Sequence, residues 1–127
     1  NYGWPVIGYG VNYRSGLAIH EGTHREDMEP PVHVWIPSIA TSGMMIYTGN
    51  RFPEWRGSIF VGGMKAEDEQ LARLTMDGQD VQREETLVHG IGRIRDVRQG
   101  LDGYIYLAID RRDGEPTSVV RLEPVEN

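Results

Sequence analysis

Apolar positions along this chain fall in short alternating runs, with no long helical pattern. Val32-His33-Val34-Trp35-Ile36 is strand-like and ends at Pro37, and Met44-Met45-Ile46-Tyr47 is a second short strand closed by Gly49-Asn50. Arg51-Phe52-Pro53-Glu54-Trp55 reads as a turn carrying two aromatic plugs. Strands follow at Ser58 to Gly62, Leu71 to Thr75 and Val81 to Val88, with Asp77-Gly78 as the turn between the last two. A second group starts at Gly92-Arg93-Ile94-Arg95-Asp96-Val97 and turns at Asp102-Gly103. It then runs from Tyr104 to Ile109, turns at Asp113-Gly114 and runs from Ser118 to Leu122. Ala66 to Gln70 is the one helical candidate and is too short to stand alone.

The two groups repeat each other. Gly57-Ser58-Ile59-Phe60-Val61 recurs as Gly103-Tyr104-Ile105-Tyr106-Leu107, and Leu71-Ala72-Arg73-Leu74 recurs as Val119-Val120-Arg121-Leu122. A repeat of roughly 40–50 residues built from short strands marks a β-propeller blade. The predicted fold is all-β: one four-stranded blade over residues 32–90 and three strands of another over 91–127, preceded by a loop-rich segment over 1–31. That segment holds five glycines and three prolines, with charges clustered from Glu21 to Glu29. Propellers close with about four to eight blades, so a chain of this size belongs with further blades or with copies of itself.

Composition narrows the partners. The 127 residues carry a formal net charge of −6, which argues against nucleic acid as a partner. There is no cysteine, hence no disulfide and no thiolate metal site. No apolar run approaches the roughly 18 residues that span a bilayer. The start at Asn1 lacks both a signal-peptide pattern and an initiator Met, so residue 1 is expected not to be where translation began.

Arg93 and Arg95 are the leading chemical candidates. At i and i+2 on a strand they project together, with Ile94 and Asp96 on the other face, and two parallel guanidinium groups make a fork for carboxylate or phosphate. The plainer alternative is an arginine pair bonded to an acidic residue of the neighbouring blade. Lys65 follows the apolar run Ile59 to Met64 beside two glycines, where it either approaches an anion or is simply solvated. Trp4, Tyr13, Trp35 and Trp55 are available for stacking on a planar ligand or for packing between blades. The four histidines lack metal-ligand spacing: His20 and His24 are four apart, but Gly22-Thr23 opposes a helix between them.

Several segments in linear order resemble the soluble PQQ-dependent aldose sugar dehydrogenases, of the glucose/sorbosone dehydrogenase-like family. They are Asn1-Tyr2-Gly3-Trp4-Pro5, Gly10-Val11-Asn12-Tyr13, Pro37-Ser38-Ile39-Ala40, Phe60-Val61-Gly62 and Gly92-Arg93-Ile94-Arg95-Asp96-Val97-Arg98. The resemblance implies the C-terminal part of a six-bladed β-propeller that oxidises aldoses at C1 with pyrroloquinoline quinone (PQQ) and Ca²⁺, in the periplasm or outside the cell. It implies that Arg93 and Arg95 bind the PQQ carboxylates and that Lys65, Tyr13, Ser38 and Trp35 line the cofactor. It also implies that the backbone carbonyl of Tyr2 binds Ca²⁺. The chain departs from the pattern at Thr41, where many relatives carry proline, and none of its four histidines matches the family's catalytic histidine. The implied contribution is therefore cofactor anchoring without the general base. A non-catalytic module that binds sugars or small anions, or a self-assembling homo-oligomer, is the alternative reading.

Overall fold

The computed structural model describes residues 1–125, which fall into two compact units, Asn1–Ile36 and Pro37 onward. No helix among the described residues is long and apolar enough to cross a membrane.

The first unit is irregular, as its glycine and proline content dictates. Its only bridges among the described residues are Ile7 with Gly22, parallel, and Val11 with Ala18, antiparallel. Between the latter pair, Asn12 Oδ1 accepts the backbone N–H groups of Arg14 and Ser15, closing a tight loop with Tyr13 within it. The strand expected over Val32 to Ile36 does not form. Pro31 and Pro37 bound this run and neither can donate to a ladder, while His33 packs edge-on against Trp35 at 4.4 Å.

The second unit contains two antiparallel sheets. The first is ordered β1 (Thr41–Ile46), β2 (Ile59–Gly63), β3 (Gln70–Asp77), β4 (Asp80–His89); the second is ordered β5 (Arg93–Gln99), β6 (Ile105–Asp110), β7 (Ser118–Leu122). The sequence repeat therefore maps β2 onto β6 and β3 onto β7. It extends to detail: Gly57 and Gly103, which lead into β2 and β6, both sit at φ +81°, open to glycine without a steric cost. Arg73 lies over the Trp55 ring and Arg121 over the Tyr104 ring, at 5.5 and 4.9 Å. The short helical candidate at Ala66 to Gln70 is instead a turn, with Asp68 N–H donating to the Lys65 carbonyl and Gln70 already in β3.

The first strand of each sheet carries a bulge. In β5, Ile94 opposes Ile109 while Asp96 opposes Ala108, which leaves Arg95 as the extra residue. The bulge shifts the phase of the strand, so the residues of β5 sent into the core are Ile94 and Val97, three apart rather than two. In β1 the register slips between Thr41 and Met44 in the same way.

The sheets share one core. Tyr47, Phe60, Leu71, Ile94, Val97, Ile105, Leu107 and Ile109 are buried together, each aliphatic or aromatic side chain worth about 1.5–3 kcal/mol on removal from water. The aromatic plugs close one end: Phe52 stacks on Trp55 at 4.4 Å and meets Tyr47 edge-on at 5.8 Å. Backbone meets backbone between β1 and β5, where a Cβ on Gly43 would lie 2.8 Å from Asp96 Cα.

Candidate functional site

The sequence-predicted residues of the second unit converge on one end of its two sheets. This end is formed where β2 finishes, β5 begins and β6 finishes. Arg93 opposes Asp110 across the β5–β6 ladder. Arg93 Nη2 donates to Asp110 Oδ2 at 2.6 Å, and Arg95 donates to the same oxygen through Nε at 3.0 Å and Nη2 at 2.8 Å. The pair does project together, and the carboxylate that gathers it belongs to the next strand of the same sheet, not to a neighbouring blade.

Lys65 lies in the turn after β2. Its N–H and that of Met64 both donate to the Ile39 carbonyl, at 3.0 and 2.9 Å. This ties the turn to the segment carrying Ser38, whose hydroxyl accepts the Ala40 N–H at 3.0 Å. Ala40 is held at φ +53°, in the left-handed region that costs a non-glycine residue about 1–2 kcal/mol. Arg95 Nη1 reaches Met64 Sδ at 3.4 Å, completing the link from Ser38 through the Lys65 turn to the arginine pair.

Sequence reasoning missed Asp110, Glu69 and Arg112. Arg112 Nε donates to Glu69 Oε1 at 2.9 Å, and its Nη2 to the Met64 carbonyl at 2.8 Å. Three guanidinium groups are thus held by two carboxylates, Arg93 and Arg95 by Asp110 and Arg112 by Glu69. Two groups carry unspent capacity. Arg93 Nε is buried and has no hydrogen-bond partner, and the exposed Lys65 ammonium has no ion-pair partner among the described residues.

The Arg95 hydrogen bond, then the charges of Arg93, Arg95 and Arg112, hold the Asp110 carboxyl below its ordinary value of 3.8. A carboxyl lowered in the folded state stabilises it fully above the ordinary value and loses that contribution as pH falls through the lowered one. A carbon-detected NMR titration should therefore give Asp110 a midpoint below 3.8, and Asp110→Asn should remove this part of the acid sensitivity. A midpoint at or above the ordinary value would mean that the arginines do not engage the carboxylate.

The remaining predicted residues lie in the first unit. Tyr13 is fully exposed. Trp35 is half-buried against His33. Tyr2 is exposed and borders a cleft of about 180 Å³ lined also by Ile7, Tyr9 and Glu29. The carbonyls flanking Tyr2 are engaged, Asn1 O by Glu29 N–H and Gly3 O by Val6 and Ile7 N–H, whereas the Tyr2 carbonyl accepts no backbone N–H among the described residues. That suits a carbonyl ligand, but one oxygen is not a calcium site, which takes six to eight. Among the described residues no three His, Asp or Glu gather as a metal site.

A wider polar basin of about 840 Å³, bordered by Arg51, Arg56, Gln99 and Asp102, lies at the opposite end of the two sheets. It contains none of the predicted residues.

The Glucose / Sorbosone dehydrogenase family matches residues 1–121. The chain belongs to this family. It is 41% identical over 123 residues to the uncharacterized protein slr1608 of Synechocystis, covering 97% of this chain and 29% of that protein. It is 40% identical over 118 residues to the aldose sugar dehydrogenase YliI of Escherichia coli, covering 91% of this chain and 31% of the relative. A crystal structure of a glucose dehydrogenase superposes with a TM-score of 0.85 at 40% identity, over 98% of this chain and 35% of that one. The chain thus spans about a third of the length of these relatives. The expected resemblance holds: the two sheets are blades from the C-terminal part of an all-β propeller of the glucose/sorbosone dehydrogenase family.

Proposed function

We propose that this glucose/sorbosone dehydrogenase family chain supplies the cofactor-anchoring part of a quinoprotein that oxidises aldoses at C1, using PQQ and Ca²⁺. The observation that carries this reading is the cluster at the ends of β2, β5 and β6. There a buried Arg93 N–H lacks a partner, and Lys65, which follows the Met64 whose sulfur meets Arg95, has no ion-pair partner among the described residues. A flat polycarboxylate quinone fits such a donor set, because guanidinium forks bind carboxylates bidentately and an ammonium suits a carbonyl or carboxylate oxygen.

In this reading Arg93 and Arg95 orient carboxylates, and Asp110 fixes the two guanidinium planes before the ligand arrives. Lys65 presents its charge to the same ligand, with Ser38, Tyr13 and Trp35 as further lining residues. When bound, PQQ supplies the two-electron acceptor for conversion of the aldose to its lactone. Removal of the C1 hydroxyl proton is assigned to no residue of this chain. The Tyr2 carbonyl is the chain's one proposed contribution to a calcium site. A periplasmic or extracellular location accompanies the reading, as does an aldose substrate, which the E. coli relative's name supports.

The test is a PQQ titration of the protein at its full natural length, followed by absorbance and tryptophan fluorescence, with glucose oxidation measured in the presence of Ca²⁺. Exchanging Arg93→Gln and Arg95→Gln together should weaken PQQ binding by about 100-fold, two charge-assisted contacts being lost. Unchanged PQQ affinity in that double variant would sink the proposal. Anion or sugar binding without oxidation would favour the non-catalytic module.

A further inference from the structure

We infer that Arg112 is a positioning residue that fixes the Lys65 turn from the neighbouring blade, and so sets where the Lys65 ammonium meets an anionic ligand. This rests on the proposed anchoring role of the cluster.

Arg112 lies between β6 and β7, while the turn it holds follows β2 of the other sheet. Its two hydrogen bonds do different work. The bond to the Met64 carbonyl takes the backbone acceptor immediately before Lys65. The bond to Glu69 is charge-assisted, and the Glu69 side chain is only 14% exposed, so the guanidinium is anchored on a partner that is itself held. The other restraints on the turn come from the Ile39 and Ala40 carbonyls and from Arg95 at the Met64 sulfur. The main chain on both sides of Lys65 is therefore fixed: Ile39 and Arg112 engage the residues up to it, and its own carbonyl accepts the Asp68 N–H. Only its side chain is left free among the described residues. A fixed backbone beneath an unpaired ammonium limits the positions that the charge can reach, which lowers the ordering cost when an anion binds. Arg112 is also one of the charges acting on Asp110, so its position bears on both halves of the cluster.

Four variants of the full-length protein test this: Arg112→Gln, Arg112→Lys, Lys65→Met and the Arg112→Gln/Lys65→Met pair. Two readouts are used. In the absence of ligand, amide hydrogen exchange at Met64, Lys65 and Asp68 should quicken in Arg112→Gln. With PQQ as the probe, Arg112→Gln should weaken binding about tenfold, as expected when the one charge-assisted contact made by Lys65 is misplaced. Arg112→Lys should recover only part of this, because an ammonium cannot make both bonds in the guanidinium's fork geometry. The loss should largely vanish in the Lys65→Met background, since residues acting through one another are not additive. Unchanged exchange at the turn overturns the inference, as does a tenfold loss that persists undiminished without Lys65, which would show Arg112 acting by its own charge. Failure of the unaltered protein to bind PQQ would overturn the proposed function instead, and the exchange measurement would still decide whether Arg112 fixes the turn.

Discussion

Tyr47→Phe should destabilise the protein by about 3 kcal/mol, although it removes a single oxygen. The Tyr47 side chain is fully buried, and its hydroxyl serves three backbone groups. It donates to the Gly103 carbonyl at 2.7 Å and accepts the N–H groups of Arg51 at 3.0 Å and Phe52 at 3.2 Å. Phenylalanine keeps the ring in contact with Phe52 and Phe60 but strands these polar groups, and each buried group left unsatisfied costs about 1–3 kcal/mol. The hydroxyl also joins the sheets, since Gly103 precedes β6 while Arg51 and Phe52 lie between β1 and β2. Urea unfolding at constant slope measures the loss directly. A change below about 1 kcal/mol would show that water replaces the hydroxyl at the vacated position.

Gly43→Ala should have the next largest effect, about 2 kcal/mol of stability together with weaker ligand binding. A Cβ at this position would lie 2.1 Å from Asp96 Oδ1 and 2.8 Å from Asp96 Cα. The carboxylate can rotate away, but the main chain cannot, so β5 must retreat from β1. Arg93 and Arg95 are carried on that strand, hence the shift reaches the cluster. Gly22→Ala is the matched control: its Cβ meets nothing within 4 Å and its backbone is not left-handed, so the change should stay within about 0.5 kcal/mol. Equal effects for the two substitutions would mean that close approach of the strands is not what requires glycine at 43.

The blades were legible in the sequence because their repeat and turn residues state the same register twice. Gly57 and Gly103 announce equivalent turns, and the alternation of Ile105, Leu107 and Ile109 names the buried face of β6. The arginine pair was legible by residue type and spacing, but its partner was not. Gln99 opposes Ile105, so an unbroken ladder counted outward from that pair would set Arg93 against Arg111, a like charge. The bulge at Arg95 moves the register by one residue and brings Asp110 opposite instead. Bulges have no reliable composition, so one inserted residue hid the ion pair. Arg112 was hidden for another reason. Its partners, Glu69 and the Met64 carbonyl, lie more than 40 residues away and belong to the other sheet, and no local pattern encodes that meeting. The expected strand at Val32 to Ile36 failed on the converse ground: its pattern was right for a strand, but alternation between two prolines does not by itself make a ladder.

The position of β4 bears on how the protein behaves when concentrated. It is the longest strand, ten residues, and forms the outer edge of its sheet. An edge strand of that length can template the addition of another strand. Asp80, Gln82, Arg83, Glu84 and Thr86 are exposed along it, so an incoming strand would have to strip water from charges and polar groups before gaining its first hydrogen bonds. The composition of β4 thereby opposes fibre-like growth by edge-to-edge pairing.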